Sequence, residues 1–82
     1  ISFLTGVKIN GIDDVGIIHK ITNVVSGELK MNMRSMSIDS GDGLFEGTIM
    51  VYVNDKEELN ELCLRLEELE GIHRVTRLDA TN

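Results

Sequence analysis

From Phe3 to Asn10 the chain alternates. Phe3, Thr5, Val7 and Ile9 fall on one face, and Leu4, Gly6, Lys8 and Asn10 fall on the other. This two-residue period predicts a first strand. After Gly11 the period changes, and Ile17, Ile18, Ile21, Val24 and Val25 recur at helical spacing. They predict a helix from about Val15 to Ser26, with Gly27 as its stop. Asp13 or Asp14 is placed to cap that helix by accepting backbone N–H bonds, and either suits the positive end of its dipole.

Lys30 to Ser40 is strand-like, with Met31, Met33, Met36 and Ile38. The apolar parity changes between Met33 and Met36. Either a bulge shifts the register, or both faces are partly covered. Ser40-Gly41-Asp42-Gly43 is a turn cluster that predicts a hairpin into the clearest strand, Leu44 to Asn54. There Phe45, Gly47, Ile49, Val51 and Val53 share one face. Asp55 and Glu58 open a second helix with a loose capping box. Leu59, Leu62, Leu66 and Leu69 give it an apolar stripe, with Cys63 beside it, and Gly71 ends it. A last strand runs from Ile72 to Asp79 around Val75.

The order is strand, helix, strand, strand, helix, strand. Two right-handed strand–helix–strand units predict an α+β fold, the ferredoxin-like βαββαβ sandwich. Its four-stranded antiparallel sheet carries both helices on one face. The other face stays open, with Leu4, Met36, Met50 and Tyr52 expected on it. An apolar open face on so small a domain suggests a partner, often a second copy.

Composition narrows the function. Eighty-two residues form one domain, 1–82. A chain this short buries only about 60% of its unfolded surface, so pairing would help it. It begins at Ile1, not Met, and reads as a fragment of a longer protein whose activity lies elsewhere. A net charge of -6 argues against general binding to nucleic acid or anionic membrane. The single cysteine, Cys63, permits no intramolecular disulfide and fits a reducing, cytoplasmic setting. No apolar run is long enough to span a bilayer, and no signal peptide is visible.

The stretch from Gly11 to Ile18 looks most like a site. Gly16 lets a ligand approach the backbone, and first-turn N–H groups beside Val15 and Ile17 can receive a carboxylate. Asp13 and Asp14 offer charge for an ammonium group, and Asn32, if adjacent, can bond either end. Together these would cradle a free amino acid. The plain alternative is that the aspartates cap the helix and Gly16 packs against the sheet. Lys8, Arg34, Arg74 and Arg77 all come from strands and could gather as a basic patch for RNA phosphates. The stacking aromatics of RNA-recognition motifs are lacking. His19 and His73 read as exposed, and with one cysteine they form no zinc pattern. Cys63 reads as a packed thiol with no base placed beside it. Ordinary core filling accounts for at least half of the methionines. The glutamates of the second helix read as a solvated face.

Asp13-Asp14-Val15-Gly16-Ile17-Ile18 resembles the first strand-to-helix turn of the ACT domain family. Met31-Asn32-Met33 resembles that family's entry to its second strand, and Gly71-Ile72-His73-Arg74-Val75 its entry to the last. Asn32 to Ile38, followed by Gly43 to Ile49, looks most like the C-terminal ACT domain of RelA/SpoT-type (p)ppGpp synthetase/hydrolases. This chain has Val15 where many members have Pro, and Asp13 where some have Asn. The resemblance implies a regulatory, non-catalytic domain without a cofactor. It implies an amino acid bound at the loop where two subunits meet, a homodimer through sheet or helix edges, and a parent GTP pyrophosphokinase whose catalytic domains it would regulate. Docking to ribosomal RNA or tRNA is the alternative role.

Overall fold

A computed structural model describes residues 1–78. Strand β1 spans Phe3–Ile12, helix α1 Ile17–Thr22, strand β2 Asn32–Gly41, strand β3 Leu44–Val53, helix α2 Lys56–Glu67 and strand β4 Ile72–Arg77. The expected end of the last strand at Asp79 lies outside the described residues. The four strands form one antiparallel sheet in the order β2-β3-β1-β4. This is the ferredoxin-like arrangement that the element order predicts.

The alternating patterns decide which sheet face is covered. Val7 and Ile9 of β1 and Phe45, Ile49, Val51 and Val53 of β3 are buried. They pack with Ile17, Ile21, Val24 and Val25 of the first helical segment and Leu59, Leu62 and Leu66 of α2. Removing these side chains from water is the main force holding so short a chain together. Cys63 and Leu69 pack against the margin of this core.

Along β2 the parity change is a bulge. Met33 faces Val51 and Met36 faces Ile49, with a register shift between Met33 and Ser35 that leaves Arg34 as the extra residue. The bulge puts Met36 on the core side, where it packs with Met31, Met33 and Ile38. It is not on the open face as expected, because one inserted residue reverses every side chain that follows. The hairpin beyond it closes through Asp42 at φ 55° and Gly43 at φ 79°, the two positive angles of a tight turn that follows strand twist.

The first helix differs from expectation at both ends. Gly16, at φ 89°, takes the N-cap position, and no side chain caps the helix. The α-helix begins at Ile17, two residues later than Val15, so the aspartates stand too early in the chain to cap it. At the other end Thr22 Oγ1 donates back to the carbonyls of Ile18 and His19, both at 3.0 Å. Such back-bonding bends helices. The coil then widens into a π-helical segment, Asn23–Glu28, so Gly27 lies within it and does not end it. Arg65 of α2 pairs with Glu28 at its close.

The second helix follows its sequence closely. Asp55 is its N-cap and accepts from the Glu58 N–H at 2.9 Å. Glu58 returns the bond one residue further back than in a standard box, to the Asn54 N–H at 2.8 Å.

Candidate functional site

The strand-to-helix loop is clamped at its root. The Ile12 N–H donates to the Gly71 carbonyl at 2.8 Å, and the Asp13 N–H donates to the Gly43 carbonyl at 2.9 Å. The α2–β4 turn and the β2–β3 hairpin therefore hold β1 from both sides just where it leaves the sheet. Gly11 allows the first contact, since a Cβ there would lie 2.1 Å from the Gly71 oxygen. The Ile17 N–H then folds back to the Asp14 carbonyl at 3.1 Å, closing the loop.

Within this frame Asp13, Asp14, Val15 and Gly16 are exposed, and Val15 is 95% exposed. Ile17 is buried, so only its backbone faces the loop. An added Cβ at Gly16 would meet nothing within 4 Å. Gly16 is therefore needed for its left-handed backbone and not for packing against the sheet. The loop presents a helix N-terminus without a side-chain cap, two neighbouring carboxylates and an apolar rim of Val15 and Ile18. Backbone N–H groups there suit an anionic oxygen, and the aspartates suit a cation.

Asn32 is not part of this arrangement within one chain. It pairs with Tyr52 at one end of β3, whereas Ile12 pairs with Leu44 at the other. At about 3.4 Å per residue the two ends are roughly 27 Å apart. Asn32 instead lines a small recess of about 240 Å³ with Lys30, Tyr52, Asn54 and Glu58.

The four strand-borne cations do not gather. Arg34 stands in the bulge of edge strand β2, and Arg74 and Arg77 lie on the opposite edge, β4. Three strand spacings separate the edges, about 14 Å. Lys8 pairs with Glu46 at 3.1 Å. Arg77 pairs with Val7 and shares the helix-side parity, whereas Arg74 pairs with Asn10 on the open side. His19 and His73 are exposed. Among the described residues no group of three or more His, Cys, Asp or Glu side chains could hold a metal ion. No helix there is long and apolar enough to cross a membrane.

A concavity of about 580 Å³ lies on the open side at the loop's end of the sheet, lined by residues including Asn10, Asp39, Leu44 and Glu46. Sequence reading missed this group. The signal was cross-strand register, because Asp39, Glu46, Asn10 and Arg74 stand side by side only after the bulge in β2 is placed.

Comparison with known proteins agrees with this geometry. The ACT domain family model matches residues 2–77. The crystal structure of the ACT domain from the GTP pyrophosphokinase of Chlorobium tepidum is 32% identical, with a TM-score of 0.85, over 95% of this chain and 100% of that one. The solution structure of that domain is 31% identical, with a TM-score of 0.83, over 98% and 90% of the two chains. The acetolactate synthase small subunit of Thermotoga maritima, at 20% identity and a TM-score of 0.80, covers 95% of this chain and 48% of its own, and shows the fold alone. A search of curated protein sequences finds no match. By family model, by identity over nearly its whole length and by fold, the chain belongs to the ACT domain family, a family of regulatory ligand-binding domains.

Proposed function

We propose that this domain is the ligand-sensing and pairing module of a (p)ppGpp synthetase/hydrolase, and that it binds a free amino acid at the loop from Asp13 to Ile17. The likeness to the Chlorobium tepidum GTP pyrophosphokinase domain supports the parent enzyme. One observation carries the site: the loop and Asn32 lie at opposite ends of a single sheet. Strand β2 is an edge, with one side unpaired within the chain. If two β2 edges pair antiparallel about Met36 and Ser37, Asn32 of a second copy stands opposite Gly41. That is the loop's end of the first copy. Each site then draws on two chains, and ligand affinity is coupled to how the copies pack.

In this reading the ligand carboxylate meets the first-turn N–H groups of α1, and its ammonium group meets Asp13 or Asp14. Val15 and Ile18 favour an apolar side chain. Titration of the domain with a panel of amino acids, branched-chain ones included, followed by amide NMR, tests it. Shifts are expected at Asp13 to Ile18 and at Asn32. If no amino acid moves the Asp13–Ile18 amides, the binding reading is abandoned. The ribosome-docking alternative drew on the arginines and the open sheet, and Arg34 lies on the far edge from Arg74 and Arg77.

A further inference from the structure

We infer that the open face of the sheet is a second self-association surface, on which two copies stack face to face about a two-fold axis parallel to the strands. This surface is separate from the β2 edge, and the inference does not depend on amino-acid binding.

The register assigns the face row by row. Ile12 and Leu44 pair at one end. Next comes a charged row across all four strands, Asp39–Glu46–Asn10–Arg74. A row of Ser37, Thr48, Lys8 and Thr76 follows. The far end is apolar, with Met50 beside Gly6, Tyr52 beside Leu4, and Leu78, whose N–H donates to the Gly6 carbonyl at 2.8 Å. A Cβ placed on Gly6 would lie 2.8 Å from Met50 Sδ and 3.3 Å from Leu78 Cβ, so these side chains form one continuous patch.

The charges on this face balance: Lys8 and Arg74 against Asp39 and Glu46. The domain as a whole carries -6. Two copies therefore repel each other less across this face than across their glutamate-rich helical sides. The balance is also polarised, with negative charge on β2 and β3 and positive charge on β1 and β4. Asp39 sits directly opposite the like-charged Glu46, an unfavourable pair, and Lys8 already engages Glu46. Neither Asp39 nor Arg74 joins an ion pair among the described residues.

A two-fold axis along the strands, passing between β3 and β1, exchanges β2 with β4 and β3 with β1 while keeping every row at its own level. Asp39 then faces Arg74 of the second copy, and symmetry makes the contact twice. Glu46 faces Asn10, Lys8 faces Thr48, Leu44 faces Ile12, and Tyr52 faces Leu4. No like charges meet. The in-plane alternative, an axis across the strands, lays Glu46 on Met50 and Arg74 on Leu78, and it buries charge without a partner. Aligned stacking is also one of the two favoured ways for sheets to pack. The face measures roughly 19 by 26 Å, so two copies bury about 1,000 Å², the lower limit for a specific interface.

Charge reversal on the intact domain tests this, read by sedimentation velocity over a concentration series with circular dichroism to verify folding. Arg74→Asp is the clean variant, because β4 is remote from the β2 edge. It should weaken face association about tenfold or more, since it creates two like-charge contacts per pair. Asp39→Arg should do the same. An equimolar mixture of the two variants makes both contacts complementary, and it should restore association to the wild-type level. Asp39 and Arg74 lie about 14 Å apart within one sheet, so recovery in the mixture reports contact between copies. Association unchanged by Arg74→Asp overturns the inference, as does a mixture that stays as weak as its components, or a wild-type domain that is monomeric at millimolar concentration. The charge-reversal outcomes do not bear on amino-acid shifts at the loop, whereas a monomeric wild type would also count against the β2-edge pairing.

Discussion

Replacing Gly11 with Ala should destabilise the domain more than any other glycine-to-alanine change in the sheet. The added Cβ would stand 2.1 Å from the Gly71 oxygen, 3.0 Å from Ile72 Cα and 3.1 Å from the Gly71 carbon. All three neighbours are backbone, so no rotamer change relieves the clash. The Gly71 carbonyl must retreat by about 1 Å or more, and it is the acceptor for the Ile12 N–H. Overpacking of this kind costs about 1–3 kcal/mol, and the strained hydrogen bond adds about 1 kcal/mol, for a total near 2–4 kcal/mol. At roughly 0.05–0.15 kcal/mol per residue, that is a large share of the stability of a chain this short. Urea unfolding at one fixed protein concentration measures it, because self-association would add to apparent stability. Two controls calibrate the result. At Gly47 the nearest atom is Ile38 Cδ1 at 2.6 Å, the movable end of a side chain, so Gly47→Ala should cost less. At Gly16 nothing lies within 4 Å, and only the left-handed backbone opposes Ala, at about 1–2 kcal/mol. Unfolding of Gly11→Ala within about 0.5 kcal/mol of wild type would refute the predicted backbone clash, as would a Gly16→Ala variant that proves the more damaging.

Asp55→Ala removes the N-cap that accepts from Glu58 and should cost about 1 kcal/mol in the same urea assay, with loss of helical signal confined to the start of α2. Thr5 Oγ1 is buried without a hydrogen-bond partner among the described residues. Thr5→Val keeps the shape and removes that unsatisfied hydroxyl, so it should stabilise the domain by about 1 kcal/mol or more; a destabilised variant would mean that the hydroxyl has a partner. Arg65→Ala breaks the pairing with Glu28 and Glu68 at the partly exposed junction of α2 and the π-helical segment, and should cost under about 1 kcal/mol. A larger loss would show that this junction governs the stability of the first helical segment.

Period and turn chemistry made most of the fold legible. The alternation in β1 and β3 is regular because one face of each strand packs on helices and the other does not. Asp55 placed the start of α2 to the residue, but the helix ends at Glu67, ahead of the expected stop at Gly71. What the pattern alone left open was the choice in β2 between a bulge and two half-covered faces. Met33 and Met36 suit both, and only pairing with Val51 and Ile49 decides. The start of α1 was misplaced for a related reason. Asp13 and Asp14 are good cap residues by type, but the chain is first held by the carbonyls of Gly43 and Gly71, and that long-range clamp delays the helix to Ile17. The gathering of four cations failed for want of strand order: β2 and β4 are the two edges.

The loop gains and loses by the same comparison. Gly16 is explained by its backbone angle, so its presence no longer argues for a ligand. The idle aspartates argue more. Had either capped α1, its carboxylate would occupy the N–H groups that a ligand carboxylate needs. With Gly16 at the cap, those groups keep no side-chain acceptor, and Asp13 and Asp14 stay exposed beside them. The result is a positive backbone end next to negative side chains, a polarity that matches a zwitterion better than a simple anion or cation. A single copy leaves this pair of charges open to water, where attraction for a small ligand is weak. In the proposed pairing a second chain would supply enclosure through β2, one of the two free edges of the sheet. Under the proposed function, sensing and pairing would be one equilibrium, and a variant that blocks the β2 edge should lose its amino-acid response while the loop itself remains intact.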